Sequence, residues 1–155
     1  MKARQALITG GTSGVGRQLV LAAAQRGYDV TFLGRDRRRG EELQRHLRSA
    51  HAHQSSNFVR LDLESLKDVK QFAESYRPQG GELHLLANIA GSLFPEQAES
   101  PQAIDRSFVV SCLSALQLTQ ALIPSMEHVP GARIVNVGAS PRVVLHERMD
   151  LQRLE

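Results

Sequence analysis

The chain holds one cysteine, no tryptophan, two tyrosines and three lysines in 155 residues. A lone Cys112 cannot close an internal disulfide and has no neighbour at metal-ligand spacing, so disulfide scaffolds and cysteine-built metal centres are excluded. Free cysteine behaves as a small hydrophobe, and Cys112 is expected to be a buried core thiol. Long apolar runs are also missing. The longest, such as Leu19 to Ala24, fall far short of the ~20 residues a membrane helix needs. The opening MKARQALITGG carries too short an apolar stretch for a secretory signal, so the expected location is the cytoplasm and no membrane span is expected. Internal repeats and low-complexity tracts are absent. The net charge of +3 is too small an excess for general nucleic-acid binding, and no aromatic residues interleave with the arginines that dominate the basic set.

What is present is ordinary in bulk: 41% hydrophobic and 23% charged residues, as in a soluble globular protein. The length suits one domain, 1–155, that buries roughly 70% of its unfolded surface, with 139–155 left as an unassigned tail. Short apolar runs alternate with longer amphipathic segments. Strands are expected at Ala6–Thr9, Val30–Leu33, Asn57–Leu61, Leu83–Ala87 and Arg133–Val137. Helices are expected at Gly14–Arg26 (ending at Gly27), Arg37–Ala52, Ser65–Tyr76 and within Pro101–Met126, stopped near Pro124. Ser65 and Asp68 are spaced like a capping box. The segment Ala139–Glu155 shows at most a weak helix from Leu145 onward.

Strands alternating with helices of ten or more residues mean βαβ units, hence an α/β fold with a parallel sheet. With right-handed crossovers and a nucleotide-binding start, the expected architecture is a Rossmann-type doubly wound sheet of five strands in the order 3-2-1-4-5. The full fold of this type has six strands or more, so the sheet is expected to be incomplete. Helices after strands one and two would cover one face, and those after strands three and four the other. Strands four and five would normally take their first-face cover from a later helix encoded beyond residue 155. An uncovered apolar patch and a free edge at strand five are therefore expected, covered either by the tail Ala139–Glu155 folding back or by another chain, and a homo- or hetero-oligomer is expected.

The sharpest motif is Thr9-Gly10-Gly11-Thr12-Ser13-Gly14-Val15-Gly16, directly between the first strand and the first helix. Glycines allow a tight turn and a close approach of backbone to a pyrophosphate, which the N–H groups at the helix start can hold. Thr12 and Ser13 can add hydroxyl contacts. A phosphate-binding NTPase loop would need lysine and a hydroxyl after Gly16, where Arg17 and Gln18 stand. A Gly-x-Gly-x-x-Gly pattern starting at Gly14 finds Leu19 at its third glycine. A bare turn without a ligand is the remaining alternative.

Taken together, Thr-Gly-x₃-Gly-x-Gly resembles the cofactor turn of the short-chain dehydrogenase/reductase family. Asp62, in RLDLES after the third strand, resembles that family's adenine-binding aspartate. Asn88-Ile89-Ala90-Gly91 is similar to its Asn-Asn-Ala-Gly, and Phe108 to Met126 and RIVNV also match, so the likeness covers about residues 5–140. The resemblance implies a nicotinamide dinucleotide held by Gly10, Thr12, Ser13, Gly14, Val15, Gly16, Asp62, Asn88, Ala90 and Gly91. Two of these have plain structural alternatives. Asp62 can cap the segment that follows it, and Asn88 can tie strands together.

An acidic residue at the end of the second strand would select NAD by accepting a hydrogen bond from the ribose 2′-OH. Aligned on the family, Gly34 takes that position and Arg35 follows. Gly34 leaves room for a 2′-phosphate and Arg35 supplies a guanidinium, which points to NADP(H). Arg37, Arg38 and Arg39 lie in the first turn of a helix, where cations oppose its dipole by roughly 0.3–1 kcal/mol each. Either a bound phosphate offsets this, or Asp36, Glu41 and Glu42 neutralise them.

The family's proton chemistry rests on a Tyr-x₃-Lys motif, a serine and an asparagine. Four residues beyond Tyr28 and Tyr76 stand Phe32 and Gly80, and the lysines are Lys2, Lys67 and Lys70. Ala139 falls at the serine position, with Ser140 one step later as a candidate hydroxyl or an ordinary loop serine. Ser111 falls at the asparagine position. The resemblance thus implies an oxidoreductase acting on a small carbonyl or alcohol, cut off before the catalytic motif. The alternatives are a silent NADP(H)-binding partner, or an isomerase or cyclase reusing the pocket.

Overall fold

The structure is a computed structural model that describes residues 3–91 and 104–138. Five strands form one parallel sheet: β1 Arg4–Ile8, β2 Tyr28–Gly34, β3 Ser56–Arg60, β4 Leu85–Asn88 and β5 Arg133–Asn136. Their spatial order is β3-β2-β1-β4-β5, and every neighbouring pair runs parallel, as the alternating pattern predicts. Helices α1 (Gly14–Gln25), α2 (Arg37–Ala50), α3 (Leu66–Ser75) and α4 (Arg106–Ser125) make the connections.

Side-chain alternation along each strand divides the core into two layers. Ile8, Val30, Phe32 and Ala87 face α1 and α2, meeting Val20, Ala23, Leu43 and Leu47. Leu7, Leu33 and Leu86 face α3 and α4, meeting Val69, Ala73, Leu118 and Leu122. The central strands are apolar on both faces because helices cover both, the condition for a buried parallel sheet. β5 differs. Val135 is in register with Ala87, on the face where no helix among the described residues reaches it, and Ile134, Val135 and, just after the strand, Val137 are exposed.

Local chemistry sets the helix ends. Asp36 caps α2 by accepting from the Arg39 N–H at 3.0 Å, and Ser65 caps α3 by accepting from the Asp68 N–H at 3.3 Å. The three arginines opening α2 are neutralised: Arg37 pairs with Glu41, Arg38 with Glu42 and Arg39 with Asp36. β4 starts two residues later than the apolar run suggests, because the Leu83 N–H turns aside to the Ser125 carbonyl. α4 opens at Arg106 under an Asp105 cap and contains a π-helical turn, Val109–Leu113.

One expectation fails here. Cys112 is exposed. The face of α4 that packs on the sheet is used by Val109, Ser114, Leu118 and Leu122, and Cys112 lies on the other side. By length and composition α4 could also cross a membrane, with a mean hydropathy of 1.4. Here its apolar stripe lies against α3 and the sheet.

Candidate functional site

A cleft of about 430 Å³ opens at the carboxyl ends of the strands, where β1 and β4 diverge. This is the switch point of the strand order, where open α/β sheets bind ligands. Gly10, Thr12, Ser13, Gly14, Val15 and Gly16 form one wall, Arg35 and Asp62 another, and Ala90 and Gly91 a third. The glycine turn is held by close packing. Gly10 (φ +66°) and Gly14 (φ +50°) take left-handed backbone, and a Cβ on Gly16 would run into the Gly10 carbonyl. Thr9 clamps the turn to the β4 loop, its Oγ1 accepting from the Ile89 and Ala90 N–H groups at 3.0 Å each.

These features fit a dinucleotide's diphosphate. Ser13 stands at the N-cap of α1 but makes no side-chain capping bond, and no acidic residue lies in the first turn. The first N–H groups of α1 therefore face the cleft without a side-chain acceptor at the cap, a disposition that suits an anion.

Asn88 stands apart from the other expected residues. It is 4% exposed and off the cleft wall, its Nδ2 donating to Thr119 Oγ1 at 3.2 Å and Asn136 Oδ1 at 2.8 Å. The tie between β4, α4 and β5 is the role the structure gives it. Asp62 does two things: it lines the cleft, and its Oδ1 accepts from the Glu64 N–H at 3.1 Å. The room expected above Gly34 is filled by Thr12. A Cβ on Gly34 would lie 2.5 Å from Thr12 Cγ2 and 2.7 Å from its Oγ1. Ser111 lies beside Gly91, whose Cβ would come 3.4 Å from Ser111 Oγ. Ala139 and Ser140 lie outside the described residues.

Sequence reasoning missed Glu64, Arg106 and Ser114. Arg35 Nη1 and Arg106 Nη2 both donate to Glu64 Oε1 at 2.6 Å. The Glu64 bond stabilises the charged form of Arg106 and raises its pKa. Ser114 Oγ donates to the Leu63 carbonyl at 2.6 Å, so α4 grips the Asp62–Glu64 loop from two points. Glu64 stood in plain sight beside Asp62, but nothing in the sequence links it to a residue 42 positions away.

Among the described residues no tyrosine, lysine, histidine or cysteine lines the cleft. Tyr76 lines a separate depression with Gln5 and Asp29, at the opposite end of the strands. Burial raises its pKa, partly offset by a hydrogen bond with Thr31.

Comparison with known proteins agrees with the fold. The family model for short chain dehydrogenases matches residues 4–143, and the chain belongs to that family of oxidoreductases, which supports a nicotinamide cofactor. It is 34% identical to mouse polyprenol dehydrogenase over 145 residues, covering 91% of this chain and 43% of that protein. It is 28% identical to human dehydrogenase/reductase SDR family member 12, covering 89% and 43%. Among solved structures, the bulky-bulky ketone specific alcohol dehydrogenase of Comamonas testosteroni superposes with a TM-score of 0.75 at 24% identity, covering 92% and 59%. The chain thus spans under half the length of those two relatives.

Proposed function

We propose that this chain is the cofactor-binding portion of an NADP(H)-dependent oxidoreductase that interconverts a carbonyl and an alcohol. The carrying observation is the cleft itself: a glycine cradle and uncapped helix start at one end, and at the other Gly34 in place of an acidic residue with Arg35 beside it. Bound NADP(H) would supply the hydride. Around it the amides near Gly10–Gly16 bind the diphosphate, Asp62 accepts from the adenine, and Arg35 pairs with the 2′-phosphate. Calorimetry with NADPH and NADH tests this. Wild type is expected to prefer NADPH, and Arg35→Met to lose about 10-fold or more of that affinity with NADH unchanged, the scale of one charge-assisted hydrogen bond. Equal affinity for both nucleotides would remove the Arg35 part, and no binding would remove the whole.

A second reading is favoured by the missing proton donor: no phenol, amine or imidazole among the described residues reaches the cleft. On that reading the chain binds NADP(H) but turns nothing over alone. Binding without loss of NADPH absorbance across a panel of aldehydes and ketones supports it. Turnover by the chain alone excludes it. Self-association belongs to the same proposal. Val135 on β5 and Val137 just after it, with Leu116 and Ile123 on the outer side of α4, are 40–53% exposed. Light scattering at micromolar concentration is expected to give a mass above the 17.1 kDa of one chain.

A further inference from the structure

Among the described residues the charges around the adenosine end of the cleft balance. Arg35, Arg39 and Arg106 face Asp36, Asp62 and Glu64, and each arginine is already engaged by a carboxylate. A 2′-phosphate entering here meets no standing positive excess. Its attraction must come from a guanidinium that changes partner.

Arg35 and Glu64 are the pair placed to do so. Arg35 is on the cleft wall with its side chain 54% exposed, whereas Glu64 is 12% exposed and held on two other sides. Its backbone N–H is bound by Asp62, and its Oε1 also takes Arg106, which is 28% exposed. The preceding carbonyl, Leu63, is pinned by Ser114. The carboxylate is therefore the fixed member and Arg35 the mobile one. A carboxylate this enclosed resists losing its only cation. Arg106 removes that obstacle, because Glu64 stays ion-paired after Arg35 swings away.

We propose that Glu64 sets the cofactor selectivity of the cleft, holding Arg35 until a 2′-phosphate takes it over, while Arg106 keeps the carboxylate paired throughout. Glu64 is thus a positioning residue that lowers the preference for NADPH over NADH. The proposal rests on the NADP(H) reading above and deepens it.

The sign pattern of three variants tests it, each checked for folding by near-ultraviolet circular dichroism and titrated with NADPH and NADH by calorimetry. Glu64→Gln weakens the competitor and is expected to tighten NADPH about fivefold, with NADH within about twofold of wild type. Arg106→Met leaves Arg35 as the only cation on Glu64 and is expected to weaken NADPH about fivefold. In the Glu64→Gln background Arg106→Met is expected to do nothing further. A merely structural role would move both single variants in the same direction and both nucleotides together. Arg35→Met separates the two levels. If it leaves NADPH binding unchanged, the NADP(H) reading fails. If it weakens NADPH while Glu64→Gln does not tighten it, the Glu64 proposal alone is overturned.

A measurement on the wild-type chain decides the matter if the variants do not fold. In a ¹⁵N-edited spectrum the Arg35 Nε–H resonance is expected to move with NADPH and not with NADH, and the Arg106 resonance to respond equally to both. Arg35 responding equally to both nucleotides overturns the exchange.

Discussion

Gly34 separates two explanations of the same residue, room for a phosphate and packing against Thr12, and Gly34→Ala tests them. Its new Cβ would lie 2.5 Å from Thr12 Cγ2 and 2.7 Å from Oγ1, roughly 1 Å inside ordinary contact. Overpacking of this kind costs about 2 kcal/mol. Replacing glycine within a strand returns about 0.5–1 kcal/mol, so the net loss is about 1–1.5 kcal/mol. At about 2–4 °C per kcal/mol for a chain of this length, the melting temperature should fall by about 2–6 °C. Thr12→Ala removes both close atoms and leaves Thr12 Cβ at 3.2 Å, which a small shift accommodates. In that background Gly34→Ala should be neutral or stabilising by about 0.5 kcal/mol, a coupling of about 1–2 kcal/mol. Urea denaturation of the four proteins in the cycle measures it. Should Gly34→Ala be as damaging without the Thr12 side chain as with it, the packing explanation is wrong. The same contact bears on cofactor engineering: an aspartate at 34, introduced to recruit NADH, must first displace Thr12.

Three further outcomes follow from the geometry. Gly16→Ala drives a Cβ into the Gly10 carbonyl, a backbone atom that cannot rotate away, so a loss of about 3 kcal/mol is set against a helix-propensity gain of about 1. The net fall in melting temperature should be about 4–8 °C, with nucleotide binding impaired, and an unchanged melting curve would contradict the fit. Asn88→Ala removes both donations that tie β4 to α4 and β5, and should lower stability by about 1–3 kcal/mol in urea while NADPH affinity stays within about twofold. A large affinity loss with little destabilisation would return Asn88 to the cofactor site. The Tyr76 phenol, half-buried and raised in pKa, is the protonated partner in the fold, so its contribution is complete below its unfolded value of about 10 and disappears as pH rises through the folded value. With Tyr28→Phe leaving Tyr76 as the one phenol, ultraviolet titration should show ionisation above pH 10 in the native chain and near 10 in urea. Coincident curves would show that the burial has no effect.

The order of elements was legible in the sequence because its signals are local. Apolar runs of strand length, helix-length spacers and glycines at a strand-to-helix turn each act within a few residues, and the parallel order β3-β2-β1-β4-β5 follows once crossovers are right-handed. The apolar character of β5 was legible for the same reason, and among the described residues Ile134 and Val135 are exposed. The glycine wall of the cleft was legible wherever a backbone feature defines it, as at Gly10, Gly14 and Gly16.

What tertiary structure alone decided concerns side chains that meet across the sheet. Thr12 fills the space over Gly34 because the first two strands lie in contact, and nothing near Gly34 in the chain announces it. Arg35 reaches Glu64 across 29 positions and Arg106 reaches it across 42, so a charge read as a bare phosphate ligand is in fact one arm of a three-residue network. Cys112 points outward because other residues of α4 took the packed face. Periodicity specifies which elements form and roughly how they stack. Which polar groups satisfy one another depends on distances that exist only after stacking, and there the free energy of a buried charge, rather than local propensity, selects the partner.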